Sequence, residues 1–229
     1  NTDLSSVSWT HYVGIKDGKL VPNGEECDQY KLFVHVISWM PRNRLQQHID
    51  QDKFSYYDYV DSELFLCDTA GGETIDTHQI FDYVNDIREK YDLYYVTITA
   101  DPYGTAGIKE QFCNICDFYI EQNQSPKSLS QYIESFSKDL KSGNVCFCGS
   151  TEDILQKAII NSILIKNGSG YYSIEKLSLQ GDAKWANIRI DPVDATIDSY
   201  IANLIDFNKR FEDDTDIDDW IDMLKGGSK

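Results

Sequence analysis

The order of apolar patterns along this 229-residue chain predicts a mixed α/β domain built on one central sheet. Three observations carry that expectation. Strand-like runs come first, and strand and helix patterns then alternate, as they do when helices cover a sheet. Residues 31–39, Lys-Leu-Phe-Val-His-Val-Ile-Ser-Trp, are largely β-branched and aromatic, which suits a pleated, buried strand. Helical patterns carry start signals: Asp76 stands three residues before Gln79, and Pro192 follows Asp191 directly.

In chain order, residues 12–15 read as a strand that a Lys-Asp-Gly-Lys turn folds back onto a second strand. Residues 31–39 form a strand ending at Pro41. Residues 44–51 fit a short helix and 63–67 a short strand. Asp76 is the N-cap of a helix whose Ile80, Val84, Ile87 and Tyr91 repeat at helical spacing. Residues 94–100 follow as a buried strand, 108–116 as a helix and 118–121 as a strand. A helix over 128–142 is ended by Gly143, and another spans 154–165. Gly168-Ser-Gly170 turns into an extended stretch over 171–177. The last helix covers 192–207, with Val193, Ile197, Ile201 and Leu204 as its buried stripe. No internal repeat or low-complexity linker interrupts the pattern. The expected organisation is a folded domain over 1–207 and an acidic C-terminal tail over 208–229.

Composition narrows the class. Hydrophobic content of 41% and aromatic content of 13% are globular values. No stretch approaches the roughly 18 apolar residues of a membrane span, and no charged-then-apolar start resembles a signal peptide. The chain begins at Asn1 with strand-like sequence almost at once, so it is read as a fragment of a longer protein or a processed chain. Cys113-x-x-Cys116 with Cys146-x-Cys148 invites a zinc reading, but the second pair lacks the usual spacing. Thiols buried in a reducing cytoplasm are the preferred reading. The net charge of −17 argues against simple tight DNA binding, which needs cations to displace counterions. Residues 212–222 alone hold seven acids and no base. A nucleic acid substrate would therefore have to be delivered or held largely by another body.

Several chemistries have no support. Asp68-Thr-Ala-Gly71-Gly72-Glu73 imitates a nucleotide-switch motif, but no G-x-x-x-x-G-K-[ST] loop exists, so nucleotide hydrolysis is rejected. Asp68 stays a lesser candidate for a metal site. No G-x-S-x-G elbow occurs, and the four histidines show no H-x-x-x-H pairing.

The most informative feature is the placement of three aspartates. Asp3 opens the chain, Asp101 ends a strand-like run, and Asp191 starts the last helix. If a strand start, a strand end and a helix start meet at one edge of a sheet, their carboxylates form a hard oxygen site for Mg²⁺ or Mn²⁺. Each residue also has an ordinary reading: Asp101 as a turn starter, Asp191 as a helix N-cap with Pro192 in the first turn. Asp194 and Asp198 border the same helix face or face water, with water preferred for Asp198.

In order and spacing these segments resemble the C-terminal nuclease domain of tailed-bacteriophage terminase large subunits. The pieces that carry the resemblance are Asp3-Leu-Ser-Ser, Trp39-Met-Pro41, Gly71-Gly-Glu-Thr-Ile-Asp76 and Asp101-Pro-Tyr. They continue with Gln124, Ser128-Leu-Ser130, Asn161, Lys184 and Arg189-Ile-Asp-Pro-Val-Asp-Ala195. The resemblance covers about residues 1–207. It implies an RNase H-like (integrase-like) fold, a mixed central sheet flanked by helices. It also implies a metal-dependent endonuclease that cuts concatemeric double-stranded DNA with two Mg²⁺ or Mn²⁺ ions. Asp3, Asp101 and Asp191 match the metal-binding carboxylates, with Asp194 the alternative third ligand and Lys184 near the scissile phosphate or merely on the surface. The family's second Asp after the first motif is replaced here by the region of Ser8-Trp9. Implied partners are DNA, an ATPase motor before residue 1, the small terminase subunit and the portal, at the procapsid in the host cytoplasm. The competing readings are another RNase H-like nuclease of resolvase or transposase type, and a non-catalytic acidic interaction domain.

Overall fold

The sheet starts from a hairpin. In the computed structural model, which describes residues 4–21, 25–68, 74–105, 107–147, 152–177 and 189–209, β1 (Ser5–Lys16) turns into β2 (Lys19–Val21). Asp17 and Gly18 both have positive φ, at 50° and 73°, as the tight Asp-Gly hairpin turn requires. β3 (Gln29–Pro41) runs antiparallel along β1, from Ser5 opposite Trp39 to Ile15 opposite Gln29. The other edge of β3 is shared by two parallel strands: β4 (Leu64–Cys67) beside its C-terminal half and β7 (Val145–Phe147) beside its N-terminal half. The result is a five-stranded mixed sheet. β5 (Tyr95–Ala100) and β6 (Cys116–Glu121) form a parallel pair, and β8 (Ser162–Lys166) and β9 (Tyr172–Lys176) an antiparallel one.

Alternation along β3 sets the two faces. Leu32, Val34 and Val36 pack under α5 (Pro126–Lys141), α6 (Glu152–Ile160) and α7 (Asp191–Lys209), against Ile133, Phe136, Leu155, Ile197, Tyr200 and Ile201. Ile37 and Trp39 point the other way, toward Ile80 of α2 (Thr77–Lys90). A third cluster, around Met40, Leu45, Tyr56 and Leu64, seats α1 (Leu45–Asp52) at the end of β3. Two short helices, α3 (Pro102–Thr105) and α4 (Lys109–Cys113), lie between β5 and β6. Among the described residues no helix is long and apolar enough to cross a membrane.

α7 ties β1 to β5. The Thr10 hydroxyl donates to the Ser199 carbonyl at 2.9 Å, and the Thr99 hydroxyl donates to the Asp198 carbonyl at 2.7 Å. Asn203 Nδ2 reaches Thr10 Oγ1 at 3.3 Å. This explains why β1 is longer than the expected strand over 12–15. In its first half, Ser5 to Thr10, the small polar Ser6 and Thr10 hydrogen-bond across the sheet and to α7, while Val7 and Trp9 pack on the face toward α2.

Other elements moved for local reasons. The expected helix over 154–165 stops at Ile160, and the β-branched run after it pairs with β9 instead. Helix 108–116 is only Lys109–Cys113, because Cys116 already opens β6. The strand at 94–100 is half-buried rather than buried, with Tyr94 73% exposed. Tyr91, expected on the apolar stripe of α2, sits past the helix end and faces solvent. The last helix runs to Lys209, two residues beyond 207, and the rest of the acidic tail lies outside the described residues. Five described cysteines are free thiols: Cys67 is buried, Cys27, Cys116 and Cys146 half-buried, and Cys113 exposed, so burial holds fully for only one of them.

Candidate active site

Asp101 leaves the C-terminal end of β5, where open α/β sheets collect their functional groups. Its carboxylate accepts the Tyr103 amide at 3.0 Å, and its carbonyl accepts the Thr105 hydroxyl at 2.9 Å. Thr105 Oγ1 in turn accepts the Tyr119 hydroxyl at 3.0 Å, which braces the turn on β6. The turn-starting reading of Asp101 therefore holds. It does not exclude the other one, because the same carboxylate is near enough for its charge to act on Asp194 and Asp198 of α7.

α7 supplies three carboxylates. The Ile190 carbonyl accepts the Val193 and Asp194 amides at 2.7 and 3.1 Å. Ile190 is thus the N-cap, and Asp191 is the first helical residue rather than the cap expected from the sequence. Acids in a first turn are favoured by the helix dipole. Asp191, Asp194 and Asp198 recur at steps of three and four, which lines them along one helix face.

Their charges act on one another. Burial, then the charges of Asp191 and Asp198, and last that of Asp101, lift the Asp194 carboxyl to about 7, against a small opposing pull from Lys176. Asp194 nevertheless keeps an accessible edge. For that group the upward direction rests on the neighbouring carboxylates more than on desolvation. Asp198 is only 8% exposed, and burial followed by the charge of Asp101 raises it to about 7 although Gln124 pulls it down. Gln124 Nε2 donates to both Asp198 oxygens, at 3.1 and 3.0 Å. Asp198 was expected to face water. The structure instead buries it behind the cluster, because its backbone carbonyl is pinned by Thr99, two residues before Asp101. Its place on the face of Asp191 and Asp194 was the signal that could have found it.

The structure thus brings together Asp101, Asp191, Asp194 and Asp198. Asp3 and Lys184 lie outside the described residues, as do residues 69–73. Leu4, next to Asp3, is buried against Met40, Leu45 and Ile154. Asp68 pairs with Arg42 and is not among the charges acting on Asp194 or Asp198. Ser130 Oγ accepts the Tyr172 amide at 2.9 Å, and the Asn161 carbonyl accepts the Leu177 amide at 2.7 Å. Both residues support β9 and the chain just after it. Among the described residues no three His, Cys, Asp or Glu side chains already stand in metal-holding geometry. Yet four mutually repelling carboxylates form a purely oxygen, anionic donor set, the chemistry of a hard divalent cation. Asp101, Asp191 and Asp194 are the described residues able to supply ligands.

A cleft of about 630 Å³ opens beside Asp101. Its walls include Pro102, Lys109, Tyr119, Glu121, Asn123 and Gln124. Lys109 Nζ pairs with Glu121 at 2.8 Å and lies 5.7 Å from the Tyr119 ring centre. A smaller cavity of about 170 Å³ lies between Arg88, Tyr94 and Asp117, at the opposite end of β5 and β6 and away from the carboxylates.

Comparison with known proteins places the chain in a family. The family model described as terminase large subunit, endonuclease domain, matches residues 21–205. That range includes Asp101, Asp191, Asp194 and Asp198 but not Asp3. The crystal structure of the HK97 bacteriophage large terminase is similar in fold, with a TM-score of 0.61 at 15% identity. The match covers 87% of this chain and 39% of that one, so this chain spans well under half of that protein's length. No curated protein sequence matches. The mixed sheet with helices on both faces is accordingly the RNase H-like arrangement, and the chain belongs to the family of terminase large subunit endonuclease domains.

Proposed function

We propose that this domain cuts concatemeric double-stranded DNA during phage genome packaging, by two-metal-ion hydrolysis of a phosphodiester. The observation that carries the reading is the convergence of Asp101 with the acidic face of α7, at a charge cost that only protons or cations relieve. That donor set fits Mg²⁺ or Mn²⁺. Asp101 and Asp191 would hold the ions together with Asp3, with Asp194 the alternative to Asp191. The chemistry two such ions supply when bound is an attacking water of lowered pKa and neutralised charge at the leaving oxygen.

The chain's own residues do the rest. Asp101 and Asp191 present oxygens from a strand end and a helix start, both fixed by backbone hydrogen bonds. Gln124 holds Asp198 in place behind them. Lys109 offers a phosphate contact on the wall of the cleft, and Tyr119 an aromatic surface below it. One lysine cannot by itself hold a duplex against a net charge of −17. The ATPase motor, the small terminase subunit and the portal would therefore supply most of the DNA grip, at the procapsid in the host cytoplasm.

The test is cleavage of supercoiled plasmid by this chain in Mn²⁺, with EDTA and Asp101→Asn as controls. Nicking and linearisation by the wild type alone is the expected result. No cleavage under any divalent ion would leave a non-catalytic interaction domain as the better reading.

A further inference from the structure

We propose that a buried clamp, formed by Arg189 and Asp52 with Tyr56 and His48 around them, positions Asp191 for metal binding. The proposal rests on the reading of Asp191 as a ligand. Arg189 Nη1 donates to Asp52 Oδ1 at 2.8 Å and to Oδ2 at 2.9 Å. The Tyr56 hydroxyl donates to Asp52 Oδ2 at 2.8 Å. Arg189 Nη2 meets His48 Nδ1. A guanidinium can only donate, so this imidazole nitrogen accepts. The Arg189 and Asp52 side chains are 4% and 1% exposed.

The clamp joins segments far apart in sequence. Asp52 is the last residue of α1, which the Met40, Leu45 and Leu64 cluster holds against the end of β3. Arg189 stands two residues before Asp191, and Ile190 between them caps α7. The sheet thus dictates where the first turn of α7 begins. Asp191 is close enough that its charge reaches the Tyr56 hydroxyl, whose pKa is raised by burial first, then by Asp52, and last by Asp191.

Stability is a poor explanation for this arrangement. Replacing a buried ion pair by apolar side chains of similar size is often neutral or stabilising, because two desolvated charges recover little. What apolar residues lack is direction. Here Nη1 is shared between both Asp52 oxygens while Nη2 meets His48, so the planar guanidinium is held from two sides, and with it the residue that enters the site.

The experiment is a comparison of wild type, Asp52→Leu/Arg189→Met, Tyr56→Phe and Asp191→Asn in the 229-residue chain. Readouts are urea unfolding, Mn²⁺ affinity by calorimetry, and amide exchange at Val193 and Asp194. The apolar double variant is expected to stay folded, to bind Mn²⁺ about tenfold more weakly, and to exchange those two amides faster while the β3 amides are unchanged. Adding Asp191→Asn to it should cost less affinity than the same change costs the wild type, since the two changes act on one ligand. If the double variant does not fold, Tyr56→Phe is expected to show the same exchange change on a smaller scale. Wild-type Mn²⁺ affinity and unchanged Val193 and Asp194 protection in a folded variant overturn the proposal. Wild-type protein that binds no Mn²⁺ overturns instead the ligand reading of Asp191, and the exchange data still decide whether the clamp positions the turn.

Discussion

Asp198→Asn should stabilise the metal-free protein, and the gain should depend on pH. Asp198 is 8% exposed and its carboxyl is raised from 3.8 to about 7. The folded state therefore binds a proton more tightly than the unfolded chain. Stability from this group is fully present below about pH 4, falls as pH rises, and is gone above about pH 7. At about 1.4 kcal/mol per tenfold, ionising Asp198 in the fold costs on the order of 4 kcal/mol at pH 8 and about 1 kcal/mol at pH 4.5. Asn cannot ionise and keeps a hydrogen bond to Gln124. Urea unfolding in EDTA should then show the variant gaining about 3 kcal/mol more over wild type at pH 8 than at pH 4.5. Asp194 is left out of this sum because it is open to solvent. Saturating Mg²⁺ should narrow the gap by neutralising the cluster. A difference between variant and wild type that is the same at both pH values would refute the buried, ionisable Asp198 described above.

Asp3→Ala, Asp101→Ala and Asp191→Ala should each lower plasmid cleavage by on the order of 10³-fold or more with circular dichroism unchanged; near-wild-type cleavage removes that residue from the ligand set. If Asp194→Ala is inactive and Asp191→Ala active, Asp194 is the third ligand. Lys109→Ala should raise KM several-fold with kcat nearly constant and reduce the salt dependence of DNA binding by about one ion; an unchanged salt slope excludes a phosphate contact there. Truncation after Lys209 should keep the fold and preserve or increase cleavage, since residues 212–222 hold seven carboxylates and few apolar groups; loss of folding would make the tail part of the domain.

Some of this was readable from the sequence because its physics is local. The Asp17-Gly18 turn, the Asp76 cap and the stripe of α7 each depend on neighbours within a few residues, and each appears where the pattern puts it. Asp101 and Asp191 stood out because they end or begin elements. What escaped depends on partners distant in sequence. Asp198 looked like a solvated helix acid because Gln124, which holds it, is 74 residues away. Residues 162–165 looked helical until β9 offered them a ladder. Ser5 to Thr10 hid a strand because the partners of Ser6, Trp9 and Thr10 are distant: Ser38 on β3, Tyr95 on β5 and Ser199 on α7. The Arg189–Asp52 pair spans 137 residues and leaves no periodic trace.

The central claim is that the carboxylates gathered at the end of β5 and the start of α7 hold two divalent ions for phosphodiester cleavage. Anomalous diffraction from crystals of this chain soaked in Mn²⁺ tests it most directly. The account predicts two peaks about 4 Å apart, bounded by Asp3, Asp101 and either Asp191 or Asp194, and lost in Asp101→Asn. No ordered Mn²⁺ within reach of Asp101 at saturating concentration would contradict it.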